Sequence, residues 1–326
     1  MVNEVAGGAK LREDVRRWEA LGVTGVLITD HLFPASGGRR AEGPGPADPV
    51  VVLAAAGAMS ETLTLGTIVA NVSFAHPALT LRHFAQLAAL FGGERVVAGL
   101  GAGWNRAEFE ALGQAMPPFG DRADRLEETL RLARALFTGG HATIDGTSVT
   151  TRDLPLAPRP AVAPRLLIGG GSDRVLHLAG QYADWVDLNG SSRQLPLGGS
   201  GTTPARRDGI RRLTTTVADL SVSVEQLSAA TRDAGRPVDA VRRSVLVDTI
   251  EFCPDDEVAD RAEALRESRG APADADATQS PYILFGSPAR MRDTLAERQD
   301  RLGLGAIIVP EHAPLDQFMR AVATSS

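Results

Sequence analysis

Apolar positions recur at two spacings along this chain of 326 residues, and their alternation predicts its architecture. Leu11, Val15, Trp18 and Leu21 make one helical face, closed by Gly22. Leu53–Met59 suits a helix packed closely through alanine. Leu81, Phe84, Leu87, Leu90 and Phe91 mark a third helix, ended by Gly92-Gly93. Leu126, Leu130, Ala133 and Phe137 form an amphipathic stripe ended by Gly139-Gly140. Further helices are predicted from Ser172 and from Pro288 to about Leu302. Between them lie short apolar runs that predict strands: Val23–Thr29, Leu63–Val69, Arg95–Leu100, Arg165–Ile168, Trp185–Leu188, Ser244–Ile250 and Ala306–Val309. With a short first strand at Met1–Val5, within which the chain begins, the count reaches eight, nearly all separated by helices. That order implies a parallel sheet, and eight units imply an α/β fold closed as a (β/α)8 TIM barrel. One domain over residues 1–326 is expected, and an open doubly wound sheet is the alternative.

Some stretches interrupt the pattern. Residues 35–48 are rich in Gly and Pro, and 190–212 hold Gly, Ser, Thr and Arg without periodicity. Both are expected to be mobile insertions. Residues 141–164 predict a β-hairpin turning at Asp145-Gly146 and then a Pro-rich link. Residues 255–279 predict a surface helix over Glu257–Arg269 followed by a loose Asp/Ala loop.

Composition narrows the function. A net charge of −6 gives no basic field for nucleic acid. The longest apolar run, near Pro49–Met59, is too short for a bilayer, and the N-terminus lacks a signal-peptide layout. The lone Cys253 excludes an internal disulfide and reads as a small hydrophobe. The six histidines show no HxH or HExxH spacing, which disfavours a metallohydrolase. A cytoplasmic enzyme without a metal is the simplest reading.

In a barrel of this kind, chemistry sits where strands end. Asp30-His31 ends the second strand, Ala70-Asn71 and His76-Pro77 follow the third, and Gly101-Ala102-Gly103-Trp104 the fourth. Gly169-Gly170-Gly171 follows the fifth and Asn189 the sixth. Glycines at a strand-to-helix turn admit a close ligand. The turn before Ser172 is the best candidate anion site, since N–H groups at a helix start point at a phosphate, and Arg174 adds charge. Asp30 could hydrogen-bond a cofactor ring and His31 exchange a proton near neutrality; alternatively, Asp30 caps the turn. Trp104 reads as a ring cover or as core packing, and His76 as a helix-start residue before Pro77.

Several segments in order resemble the luciferase-like monooxygenase superfamily, in its branch of coenzyme F420-dependent oxidoreductases. They are ITDHL (28–32), LGTIVANVSFAHP (65–77), GLGAGWNRAEFEALG (99–113), FGDRADRLEETLRLARALFTG (119–139), LLIGGGSDRVLHLAGQYADWVDL (166–188) and SPYILFGSPARM (280–291). The resemblance implies a flavin-type cofactor across the barrel mouth. Asp30 faces the ring; Val69, Ala70 and Asn71 form a bulge that often carries a non-proline cis peptide; Gly101, Ala102 and Gly103 line the ring, and Gly169, Gly170, Gly171 and Ser172 take the phosphate. His31, Phe33, Trp104 and Asn189 lie on the substrate side, with His31 and Asp30 the catalytic pair; if neither acts, water or Glu108 is the next proton source. Sugar-phosphate dehydrogenases of this branch carry an acidic residue where this chain has Trp104, a departure that disfavours sugar oxidation by that acid. The implied activity is hydride transfer between F420 and a small organic substrate, reducing a C=C or C=N bond, in a homodimer. The alternatives are an FMN-dependent monooxygenase served by a flavin reductase, and a non-catalytic flavin-binding barrel. The arginines 206, 207, 211 and 212 are expected to meet an acidic cofactor tail.

Overall fold

The computed structural model describes residues 7–33, 47–190 and 204–323. The expected strand at Met1–Val5 and most of the two insertions fall outside these residues. The chain divides into two compact units, residues 1–169 with 181–185, and 170–180 with 186–326.

The first unit runs α1 (Gly8–Ala20), β1 (Gly25–Ile28), α2 (Pro49–Met59), β2 (Thr64–Thr67), β3 (Ala70–Asn71), α3 (Pro77–Phe91), β4 (Val96–Gly101), α4 (Arg106–Ala111), α5 (Phe119–Gly139), the β5–β6 hairpin (His141–Asp145 and Thr150–Pro155) and β7 (Arg165–Gly170). Its parallel strands order β1-β2-β4-β7, with β3 on β4. Helix starts are fixed by side chains. Asp48 accepts from the Val50 and Val51 amides at 2.9 and 3.0 Å, ahead of Pro49. His76 accepts from the Ala78 amide at 3.3 Å ahead of Pro77, the structural role expected of it. Every residue of β4 is buried. Gly99 is required there, because a Cβ would lie 1.9 Å from the Thr67 carbonyl oxygen. Leu65, Leu81, Phe84, Leu100, Leu126 and Leu130 are fully buried, each worth about 1.5–3 kcal/mol of transfer free energy.

The second unit runs α6 (Asp173–Tyr182, whose end belongs to the first unit), β8 (Trp185–Leu188), α7 (Pro204–Thr214), α8 (Val217–Asp233), β9 (Arg242–Leu246), β10 (Thr249–Phe252), α9 (Val258–Arg269), β11 (Ile283–Gly286), α10 (Pro288–Leu302), β12 (Ala306–Ile308) and α11 (Leu315–Val322). Strands β8, β9 and β12 are successive neighbours, and β10 and β11 form a separate parallel pair.

Three expectations are corrected here. The strand expected over Ser244–Ile250 is two strands. Val247 still donates to the Ile308 carbonyl at 2.9 Å, but Asp248 donates to that of Tyr282 at 2.7 Å, so the chain changes partner between them. The partner of β10 is β11, a four-residue apolar run that the sequence reading placed within a motif and not as a strand. Residues 204–212, expected to be aperiodic, lie in α7. Helix α10 has the predicted bounds, and Asp145 pairs with Thr150 across the predicted hairpin.

Candidate functional site

Strand β1 buries Val26, Leu27 and Ile28, so the residues that follow emerge from its carboxyl end. Asp30 is half-buried, and its Oδ2 accepts from the Asn71 amide at 2.9 Å. Burial holds its carboxyl above the ordinary range, against the opposing pull of that amide. Asn71 ends β3, where Ala70 and Asn71 pair with Leu100 and Gly101. The Ile68–Val69 peptide is cis, as expected of this segment. Gly101 ends β4, and half-buried Ala102 follows it. Gly103 has φ +76°, and a Cβ there would lie 2.6 Å from the Asn71 side-chain amide. Conformation and space therefore both demand glycine. From α5, Arg122 donates to the Gly103 carbonyl.

His31 follows Asp30 and meets a partner far away in sequence. Its Nδ1 lies 2.9 Å from Glu108 Oε1, and the Leu32 amide donates to the same oxygen at 3.0 Å. Glu108 is 2% exposed, on α4, whose start is capped by Asn105 accepting from the Ala107 amide at 3.2 Å. Trp104 stands edge-on to the imidazole, with ring centroids 5.8 Å apart and planes at 82°. It is 45% exposed, so it is not core packing. Leu32 is exposed and Phe33 half-buried beside them in the chain. A half-exposed imidazole with one nitrogen held by a buried carboxylate can exchange a proton through the other.

Gly169, near the end of β7, belongs to the first unit, where its Cβ position is 3.3 Å from Val69 Cγ1. Gly170, Gly171, Ser172 and Asn189 gather in the second unit. A Cβ on Gly171 would lie 1.7 Å from the Asn189 carbonyl oxygen, and the Asn189 amide donates to the Gly170 carbonyl at 3.3 Å. Ser172 opens α6, its Oγ accepting from the Val175 amide at 3.3 Å.

The second unit also holds a charged cluster that sequence reasoning did not assemble. Arg212 donates to Asp208 at 3.0 Å, to the Leu246 carbonyl at 3.1 Å and to Asn189 Oδ1 at 3.2 Å, and lies 5.2 Å over the Tyr282 ring. Tyr282 donates to the Leu188 carbonyl at 3.1 Å, and Ser244 to Asp187 at 2.8 Å. Burial pushes the Asp187 carboxyl up to about 7, with Ser244, Arg212 and Asn189 opposing it. Arg211 is engaged with Asp208 and with the Gly190 carbonyl. The expected row of tail-binding arginines is therefore corrected for 211 and 212, whose charges are met within the unit. Arg206 and Arg207 are exposed, and Arg206 donates to the Arg269 carbonyl at 3.4 Å. No local signal links Arg212 to Tyr282 or His31 to Glu108, because those contacts span about 70 residues or more.

The chain and its fold have counterparts among known proteins. The chain is 32% identical over 243 residues to an F420-dependent glucose-6-phosphate dehydrogenase of Intrasporangium calvum, covering 73% of this chain and 71% of that one. An F420-dependent secondary alcohol dehydrogenase, solved with an F420-acetone adduct, superposes with a TM-score of 0.74 at 18% identity over 99% of this chain and 97% of that one. The F420-dependent tetrahydromethanopterin reductase of Methanopyrus kandleri does so with a TM-score of 0.69 at 17% identity over 97% and 93%. These two likenesses bear on the fold, an α/β fold with a parallel half-barrel sheet. Residues 3–196, which contain the Asp30, His31, Asn71 and Gly103 constellation, match the model of the luciferase-like monooxygenases, and the chain belongs to that family, in the company of F420-dependent oxidoreductases.

Proposed function

We propose that this chain is an F420-dependent oxidoreductase that moves hydride between the deazaflavin and a small organic substrate, with His31 handling the accompanying proton. The observation that carries the reading is the strand-end arrangement itself. Asp30 is tied to Asn71, and His31 is tied to Glu108 beside an exposed Trp104. The residues fit such a group. Backbone at Gly101–Gly103 is bare of side chains except Ala102, and a side chain at Gly103 would collide with Asn71. The Asp30 carboxyl, raised by burial, suits hydrogen bonding to a polar ring edge. In the first unit Asp30, Val69, Ala70, Asn71, Gly101, Ala102, Gly103 and Gly169 would hold the ring; in the second, Gly170, Gly171 and Ser172 form a glycine turn at a helix start, of the kind that takes a phosphate.

When bound, F420 supplies a two-electron hydride acceptor or donor. The protein orients it, and His31 takes or gives the proton at its Nε2. Phe33 and Trp104, in the same unit as His31, would meet the substrate. An alcohol–carbonyl pair is the substrate reading that the related dehydrogenases support; reduction of a C=C or C=N bond would use the same proton donor. A closed (β/α)8 barrel, a single domain, a homodimer and a cytoplasmic setting belong to this same proposal. Among the described residues no helix is long and apolar enough to cross a membrane.

The test is a fluorescence titration with F420 and with FMN, followed by turnover of F420 with secondary alcohols and glucose 6-phosphate, and of reduced F420 with enones and imines. F420 binding and turnover of one class are expected. His31→Ala should lower kcat about a hundredfold or more while the F420 Kd stays within twofold. Oxygenation of a substrate by FMN with a flavin reductase, with no F420 binding, would replace this reading with the monooxygenase.

A further inference from the structure

We infer that Glu108 is a positioning residue for His31: it holds the imidazole with the proton on Nδ1, and so fixes Nε2 as the atom that exchanges the substrate proton. The inference rests on the proposed role of His31 and adds the group that orients it. One carboxylate oxygen meets two donors from the loop after β1, the His31 Nδ1 at 2.9 Å and the Leu32 amide at 3.0 Å. An amide N–H is always a donor, so the oxygen facing it is an acceptor. An ionised carboxylate only accepts, so this oxygen meets Nδ1 favourably only if Nδ1 carries the hydrogen. Nε2 then has a lone pair while the ring is neutral. The carboxylate is 2% exposed and is carried by the short helix α4, so water does not compete for it. Trp104, edge-on to the ring, limits the imidazole from the adjoining turn.

In the oxidising direction the substrate O–H bond breaks and its proton forms a bond to His31 Nε2. The C–H bond breaks and its hydride leaves with the electron pair to F420, forming C=O. His31 becomes an imidazolium facing a buried carboxylate, which stabilises the charge. Glu108 neither gains nor loses a proton. The charged and titratable groups around His31 are Glu108 from α4, Asp30 beside it in the chain and, through Asp30, Asp48 at the start of α2.

The experiment is nitrogen-15 NMR of histidine-labelled protein without cofactor, with His31 assigned by loss of its signals in His31→Ala, alongside kinetics. In the wild type the neutral ring should be protonated on Nδ1. In Glu108→Gln the amide oxygen can take the place of Oε1 and accept from both Leu32 and Nδ1, but the negative charge behind the ring is gone. The ring should keep the Nδ1–H form, but its titration midpoint should fall and kcat should drop about tenfold or more with F420 affinity within twofold. Glu108→Asp, which keeps the charge, should retain the Nδ1–H form and recover part of kcat. It also carries the test if the Gln variant fails to fold. An Nε2–H ring in the wild type, or an unchanged His31 titration in a folded Glu108→Gln, would overturn the inference. Failure of the wild type to bind F420 would instead defeat the functional reading, leaving the tautomer result intact.

Discussion

Two charged clusters in this chain use similar residue types to opposite ends. Around His31, in the first unit, a buried carboxylate holds an imidazole that remains 21% exposed, next to an exposed Trp104. Around Arg212, in the second unit, Asp187 and Tyr282 are buried, and the guanidinium meets a carboxylate, a carbonyl and an amide oxygen. The first cluster is ordered from behind and left accessible in front. The second is closed on itself. A closed set of charges costs desolvation and is held only while every partner is present. An accessible one tolerates loss of a member structurally but loses its chemistry. Perturbed groups are thus not all functional groups, and accessibility separates the two cases here.

The sharpest way to break this contrast is Arg212→Met. It leaves Asp208 with Arg211 alone and takes the donor from the Asn189 side chain and the Leu246 carbonyl, and should cost about 1–3 kcal/mol of stability, read as a lower urea midpoint. A loss below about 1 kcal/mol would show that water already reaches the cluster. A smaller effect depends on pH. The folded chain keeps a proton on Asp187 up to about 7, whereas the unfolded chain releases it near 3.8. This group's contribution to stability is therefore full below the lower value and lost as pH rises through the higher one. Asp187→Asn has no proton to lose, so its unfolding midpoint relative to wild type should rise between pH 5 and pH 8. A difference constant over that range would mean that Asp187 is ionised throughout. The smallest stability effect belongs to Trp104→Ala. An exposed side chain away from any cap or network should change stability by no more than about 0.5 kcal/mol, while the KM for substrate rises. A large fall in the melting temperature would return Trp104 to the core.

Much of this was legible locally. Leu11, Val15 and Trp18 fall on the buried face of α1, and α10 starts at Pro288 as the sequence predicts. Asp30 and His31 were legible as strand-end polar residues because a buried apolar run stops at Ile28. The break at Asp248 was not, since Ser244–Ile250 reads as one mostly apolar segment until Tyr282 supplies a second partner for it. Nor was α7, where Arg, Asp and Gly at 206–209 hide a helix secured by charges engaging Asp208 and the Leu246 carbonyl.

The sequence by itself determined the alternation of elements, the glycine turns and the polar residues that close each strand. These follow from propensity, period and steric need, all set within a few residues. Only the tertiary structure decided that Glu108 stands behind His31 and that Arg212 is enclosed by Asp208, Asn189 and Tyr282. Whether a charge is exposed, paired or buried depends on which distant backbone the packing brings beside it, and no local pattern encodes that distance.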